Sequence, residues 1–199
     1  MDGRLAEVNK QIRMIVQDNI KNISFFWFLA PVVVALVSFW AVMTNMPEVY
    51  DSWWSGVKAV LETIALVLMG AAFLFSLLRV VLTKGSAFSI WLSTLVLILL
   101  CREIHWDWTS NGVYIGVFFW AAVGVWKYSL LKEALSDRKT ITLLALVFFS
   151  YFVGVTFDQQ WWTEAERMDK IGKLAGEVVE DFGHICVCML LVVSSLRRK

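Results

Sequence analysis

The chain has 199 residues, 59% of them apolar, and its mean hydropathy is +0.67. This balance is typical of a polytopic membrane protein and excludes an ordinary soluble domain. The formal net charge is only +1 and no basic tract carries interleaved aromatic residues, so nucleic acid is not expected as a partner.

The start of the chain predicts an amphipathic helix over residues 2–21, followed by the membrane domain over 23–199. The first 20 residues are charged and polar without the apolar core of a signal peptide, so no removable leader is expected in residues 1–22. Such a helix lies on the membrane surface or against a cytoplasmic partner. Its apolar side carries Leu5, Val8, Ile12, Ile15, Val16 and Ile20.

Six apolar segments follow, each close to the roughly 20 residues that a helix needs to cross a bilayer. The fold expected is all-α, a bundle of six transmembrane helices in a cytoplasmic (inner) or plasma membrane. Two glycine pairs, Gly112 with Gly116 and Gly172 with Gly176, have the spacing that lets membrane helices approach closely. The predicted spans are 24–44, 57–82, 87–107, 112–131, 140–160 and 173–196.

The basic residues predict that both termini are cytoplasmic. With that orientation, 13 of the 18 lysines and arginines fall in cytoplasmic segments, the side on which short loops of membrane proteins concentrate positive charge. Of these, Arg79 and Lys127 lie at span ends and are expected to extend towards the cytoplasmic headgroups. The 13 are Arg4, Lys10, Arg13, Lys21, Arg79, Lys84, Lys127, Lys132, Arg138, Lys139, Arg197, Arg198 and Lys199.

Most ionisable residues of the spans gather in the predicted outer half of the bundle. Inside a membrane such residues are costly, and they mark a functional site by default. Glu177, Asp181 and His184 follow one stripe of the last span at i, i+4 and i+7, with Glu180 beside it. The set comprises Glu62, Arg102, Glu103, His105, Asp107, Asp158, Glu177, Glu180, Asp181 and His184.

So many carboxylates require protonation, access of water or a bound cation. Oxygen ligands together with imidazole suit a divalent Zn, Mn or Fe ion. We therefore predict a metal site, a set of catalytic carboxylates and a supporting set. The ligands are His184, Asp181, Glu177 and His105; the catalytic residues are Glu180, Glu177 and Glu103; the supporting residues are Glu62, Arg102 and Asp158.

Several of these residues also have structural interpretations. The helix dipole favours Glu177 in the first turn of the last span, and Arg102 with Glu103 suits an interfacial ion pair. His105 and Asp158 suit the headgroup level. Asp181 and His184 are the hardest to explain this way, because they lie roughly 10 to 17 Å below the start of the span.

Three function classes remain open. The first is a metal-dependent intramembrane hydrolase that acts on a lipid or other amphiphile. The second is a small proton- or cation-coupled transporter or channel, expected to be a homo-oligomer at this size. The third is a non-enzymatic assembly or sensor protein in which the polar cluster holds the helices together.

The chain contains three cysteines, and their spacing does not form a CxxC metal motif. Cys186 and Cys188 are two residues apart, so they point to different sides of a helix. Both are predicted to be small core residues.

Overall fold

The computed structural model describes residues 2–47, 51–104, 109–158 and 166–196, which form helices joined by short turns and include no strand. The all-α prediction is therefore confirmed for this part of the chain. The helices are α1 (Asp2–Ile20), a short 3-10 helix (Phe25–Phe28), α2 (Leu29–Asn45), α3 (Asp51–Leu82), α4 (Ala87–Glu103), α5 (Thr109–Trp126), α6 (Tyr128–Leu135), α7 (Arg138–Asp158) and α8 (Glu166–Ser195).

Within the described residues, four helical segments are long and apolar enough to cross a membrane, by length and composition alone. They correspond to the first, second, fifth and sixth predicted spans, and they support a multi-pass membrane protein. They are Phe25–Asn45, Ser52–Leu82, Arg138–Phe157 and Glu166–Ser195. The shorter apolar helix Ile115–Trp126 falls within the fourth predicted span, and the count of six stays a prediction.

The third and fourth predicted spans end earlier than expected. Helix α4 ends at Glu103 rather than at 107, and α5 ends at Trp126 rather than at 131. At Lys127 the backbone leaves the helical region (φ −98°, ψ 20°), and the separate amphipathic helix α6 begins. A mixed polar and apolar sequence after Lys127 suits a short helix with one buried side better than continuation of an apolar span.

The chain divides into two compact units. The first comprises Met1–Ser24, Met69–Thr142 and Leu190–Lys199, and the second comprises Phe25–Leu68 and Leu143–Met189. Helices α3, α7 and α8 each contribute to both units.

In the first unit, α4 and α5 are joined by two stacked tryptophans. The rings of Trp91 and Trp120 lie 3.9 Å apart, and each indole N–H donates a hydrogen bond to the carbonyl oxygen of the other tryptophan. Gly124 makes room for this pair, since a Cβ atom there would lie 2.9 Å from Cζ2 of Trp91. Farther along, Gly116 lies against Ile98, which makes the two helices antiparallel.

The end of α1 is also anchored in the first unit. The Asn19 side chain donates to the Tyr128 hydroxyl at 3.0 Å, and the backbone N–H of Ser24 donates to the Thr142 hydroxyl at 3.1 Å. These contacts connect segments predicted to lie on one side of the membrane. Along the helix, Ile12, Met14, Val16 and Ile20 are exposed, whereas the side chains of 2–8 and 11 lie outside the described part.

The position of the Arg79 side chain differs from the prediction, which placed it in the headgroup region. Its side chain is buried, and its guanidinium donates to the hydroxyl and to the carbonyl oxygen of Ser194. The guanidinium also lies over the Phe88 ring, 5.5 Å from the centroid. Because these contacts lie on other helices, Arg79 contributes to packing within the first unit.

Candidate functional site

In the second unit, α7 and α8 approach each other closely. A Cβ atom at Gly154 would lie 3.2 Å from the carbonyl oxygen of Gly176, and one at Gly183 would lie 3.3 Å from Cβ of Ser150. Small residues allow membrane helices to approach to such distances. Gly176 therefore lies against α7 at Gly154, and the role of its spacing with Gly172 stays a prediction.

Glu180 lies within this close contact. A Cβ atom at Gly154 would lie only 2.7 Å from its Cγ atom and 3.2 Å from Oε1, so the glycine leaves the space that the glutamate occupies. Glu180 is buried, with 8% of its surface exposed. The predicted catalytic carboxylate is therefore held in the α7–α8 interface.

His184 lies further along the same interface and is 1% exposed. Its Nδ1 atom is 3.3 Å from Oδ1 of Asp181, and its ring meets the Tyr151 ring edge-on at 5.7 Å. An imidazole and a carboxylate at this distance share a proton, as an ion pair when the imidazole is protonated or as a hydrogen bond when it donates in its neutral form. The pair thus joins a buried imidazole to a carboxylate that is 18% exposed.

Lys58 on α3 connects two other predicted residues. Its Nζ atom lies 3.5 Å from a carboxylate oxygen of Glu62 and 3.7 Å from one of Glu177. The ammonium also lies 5.4 Å from the centroid of the Trp54 ring. One lysine thus offsets charge on two carboxylates that the sequence analysis had treated as metal or supporting residues.

Two further lysines neutralise carboxylates at the start of α8. Lys170 pairs with Glu166 at 3.2 Å, and Lys173 pairs with Asp169 at 3.1 Å. These pairs were not among the predicted site residues, although their i, i+4 spacing is readable from the sequence. The Lys58–Glu177 contact joins two helices, so no local spacing indicates it.

The remaining predicted residues are placed elsewhere. Arg102 and Glu103 are half-buried at the end of α4, in the first unit. Asp158 ends α7, but its side chain is outside the described part, and His105 with Asp107 is outside it altogether. The structure therefore leaves the roles predicted for these residues as predictions.

The predicted metal centre is assembled only in part. Among the described residues, no group of three or more histidine, cysteine, aspartate or glutamate side chains is placed to hold a metal ion. His184 and Asp181 supply two neighbouring donor groups, whereas Glu177 contacts Lys58. A metal at this pair needs a third ligand from the part of the chain that is not described, or water.

The cysteines agree with their predicted role in part. Cys186 is buried, as predicted for a core residue, whereas Cys188 and Cys101 are half-buried.

Comparisons with protein-family models, curated proteins and solved structures find no match to this chain. Its function is therefore inferred from its own residues.

Proposed function

We propose that this protein is a multi-pass membrane protein that takes up and releases a proton at the His184–Asp181 pair and couples this step to transport. The observation that carries the proposal is the 3.3 Å contact between the two side chains in the buried α7–α8 interface. Histidine is the side chain that changes charge most readily near neutral pH. Paired ionisable residues within membrane spans commonly serve as proton relays.

The neighbouring charges favour a proton at this pair over a metal bound by the whole cluster. Glu62 and Glu177 already have Lys58 as a counter-ion. A metal ion was predicted because so many carboxylates need a positive counter-ion. Lys58 already supplies one to these two, so they do not require a metal. A proton held between His184 and Asp181 neutralises the carboxylate without further ligands.

Because α7 and α8 are in close contact, proton binding at the pair is expected to affect their packing. Protonation of the imidazole replaces a hydrogen bond from a neutral ring to the carboxylate by an ion pair, and this changes the electrostatic energy of the surrounding groups. Gly183, the residue before His184, lies against Ser150 with no spare space. A change in the charge of the pair is therefore expected to alter how α7 and α8 pack.

The topology belongs to the same proposal: six spans, with both termini in the cytoplasm. It is supported by the distribution of basic residues and by contacts that join segments assigned to the same side. One example is the Arg167 guanidinium, which donates to the carbonyl oxygen of Met46 at 3.1 Å.

Cysteine labelling in a cysteine-free background tests this topology. Ser52→Cys and Ala165→Cys should react with a membrane-impermeant maleimide in intact cells, and Lys139→Cys only after permeabilisation. Reaction of position 139 in intact cells would show that the orientation is wrong.

Proton flux into liposomes tests the function. Purified protein is reconstituted with an entrapped pH-sensitive dye, and the rate of internal acidification is followed after an external pH step. Wild type should acidify the lumen faster than protein-free liposomes, whereas His184→Gln and Asp181→Asn should not. Cys188→Ala, one helical turn from His184, is the matched control and should behave as wild type.

Equal rates for wild type, the His184 variant and empty liposomes would refute proton transport at this pair. Equal rates for wild type and variants, both above empty liposomes, would place the transport site elsewhere in the chain.

A metal-dependent hydrolase acting on a lipid or amphiphile is the second candidate. It is favoured by the juxtaposition of two potential ligands, His184 and Asp181, with a buried carboxylate, Glu180, on the same helix. A divalent Zn, Mn or Fe ion bound there would supply an activated water, and Glu180 would act as general base. Metal analysis of detergent-purified protein tests this: a stoichiometric metal lost in His184→Gln supports the hydrolase, and its absence from wild type refutes it.

A further inference from the structure

Helices α4, α5 and α6 of the first unit border an open groove of about 440 Å³. The groove is lined mainly by apolar side chains, and it runs from Gly116 on α5 to Lys127 directly after that helix, a distance of roughly 16 Å at 1.5 Å per residue. Its size is within the range of small-molecule sites, which is about 300–1,000 Å³. Its walls include Ile90, Ile98, Phe119, Val123 and Leu130.

Of the described residues that line this groove, Lys127 is the one with a positive charge, and it lies at one end. Lys127 lines that end, with its ammonium 4.0 Å from the centroid of the exposed Trp126 ring. Because α4 and α5 are antiparallel, with Ile98 against Gly116 at the opposite end, the amino end of α4 at Ala87 lies at the Lys127 end. The amino end of a helix also attracts anions.

We propose that this groove binds an anionic phospholipid, with an acyl chain along the apolar walls and the phosphate at Lys127. An anionic phospholipid has one negatively charged end and long apolar chains. The groove has apolar walls and a lysine at one end, so the two are complementary in charge and shape. The predicted topology places Lys127 at the cytoplasmic surface, where anionic lipids are concentrated. Trp126 at the same level is typical of the membrane interface.

A second copy of this chain fits the groove less well. An apolar helix packed along the whole groove would cover Lys127 and remove its charge from water, which is costly without a paired anion. A phospholipid supplies that anion. This proposal rests on the proposed topology for the side of the membrane on which Lys127 lies. It uses no residue of the His184–Asp181 site, so a failure of proton transport would leave it standing.

Native mass spectrometry of the full chain released from nanodiscs tests the proposal. With equal parts of phosphatidylglycerol and phosphatidylcholine, wild type should retain phosphatidylglycerol in preference. Lys127→Gln should reduce this preference about fivefold, the effect of one lysine near an anionic headgroup. Lys139→Gln, which removes an exposed lysine from the same predicted side but not from the groove, should leave the preference unchanged.

A second variant tests the apolar part of the groove. Val123→Trp fills the groove at a partly exposed position and should reduce retention of both lipids, whereas Val192→Trp, at a similarly exposed valine that does not line it, should not. Equal retention of the two lipids by wild type would overturn the proposal. So would unchanged retention in Val123→Trp, or the same loss of preference in Lys127→Gln and Lys139→Gln.

Discussion

Replacing His184 and Asp181 by leucine, singly and together, separates a working proton site from a purely structural contact. Each single replacement leaves the other polar group in the interface without this partner, which costs about 1–3 kcal/mol. The structure predicts that the two costs differ. His184 is 1% exposed and cannot recover its lost hydrogen bond from water, whereas the Asp181 side chain is 18% exposed and partly can.

Asp181→Leu should therefore lower the free energy of unfolding by about 2–3 kcal/mol, and His184→Leu by about 1 kcal/mol. The double variant should be more stable than the sum of these losses predicts, by about 0.5–3 kcal/mol, the range of coupling energies for residues in direct contact. Replacing a buried pair by apolar side chains of similar volume often costs little.

Unfolding in mixed micelles of increasing SDS content, followed by fluorescence of the 11 tryptophans, measures these differences. The same samples are then tested for proton flux in liposomes. We expect the double variant to be stable and inactive. A coupling energy near zero would refute the contact itself, and a stable double variant with full activity would eliminate both the transport and the catalytic role of the pair.

Three further substitutions test the packing around the site and in the first unit. Gly154→Ala should destabilise the protein by about 1–3 kcal/mol, because the new methyl group would overlap Glu180; a gain in stability, as expected from helix propensity alone, would contradict the close approach. Lys58→Gln should cost about 1 kcal/mol in the same SDS titration, since its two carboxylate partners lose their shared counter-ion and all three side chains are partly exposed; an unchanged midpoint would show that the ion pairs contribute nothing. Gly124→Ala should displace Trp91 from its stacked partner and reduce the near-ultraviolet circular dichroism of the pair; an unaltered spectrum would argue against the stacking.

Local features of this protein are readable from the sequence because they depend on helix geometry. Apolar runs predict the helices, and the 3.6-residue period places Glu177, Asp181 and His184 on one side of α8. The contact between Asp181 and His184 joins residues three apart on one helix, so the sequence indicates it before any tertiary packing.

Contacts between helices were decided only by the tertiary structure. Lys58 had been left out of the polar cluster, yet it lies between Glu62 and Glu177. Arg79 was expected at the headgroups, yet it is buried against Ser194, 115 residues away in the chain. No local pattern encodes such partners, because which sides of two helices meet depends on the packing of all the helices at once, and a buried charge takes the partner that this packing brings within reach.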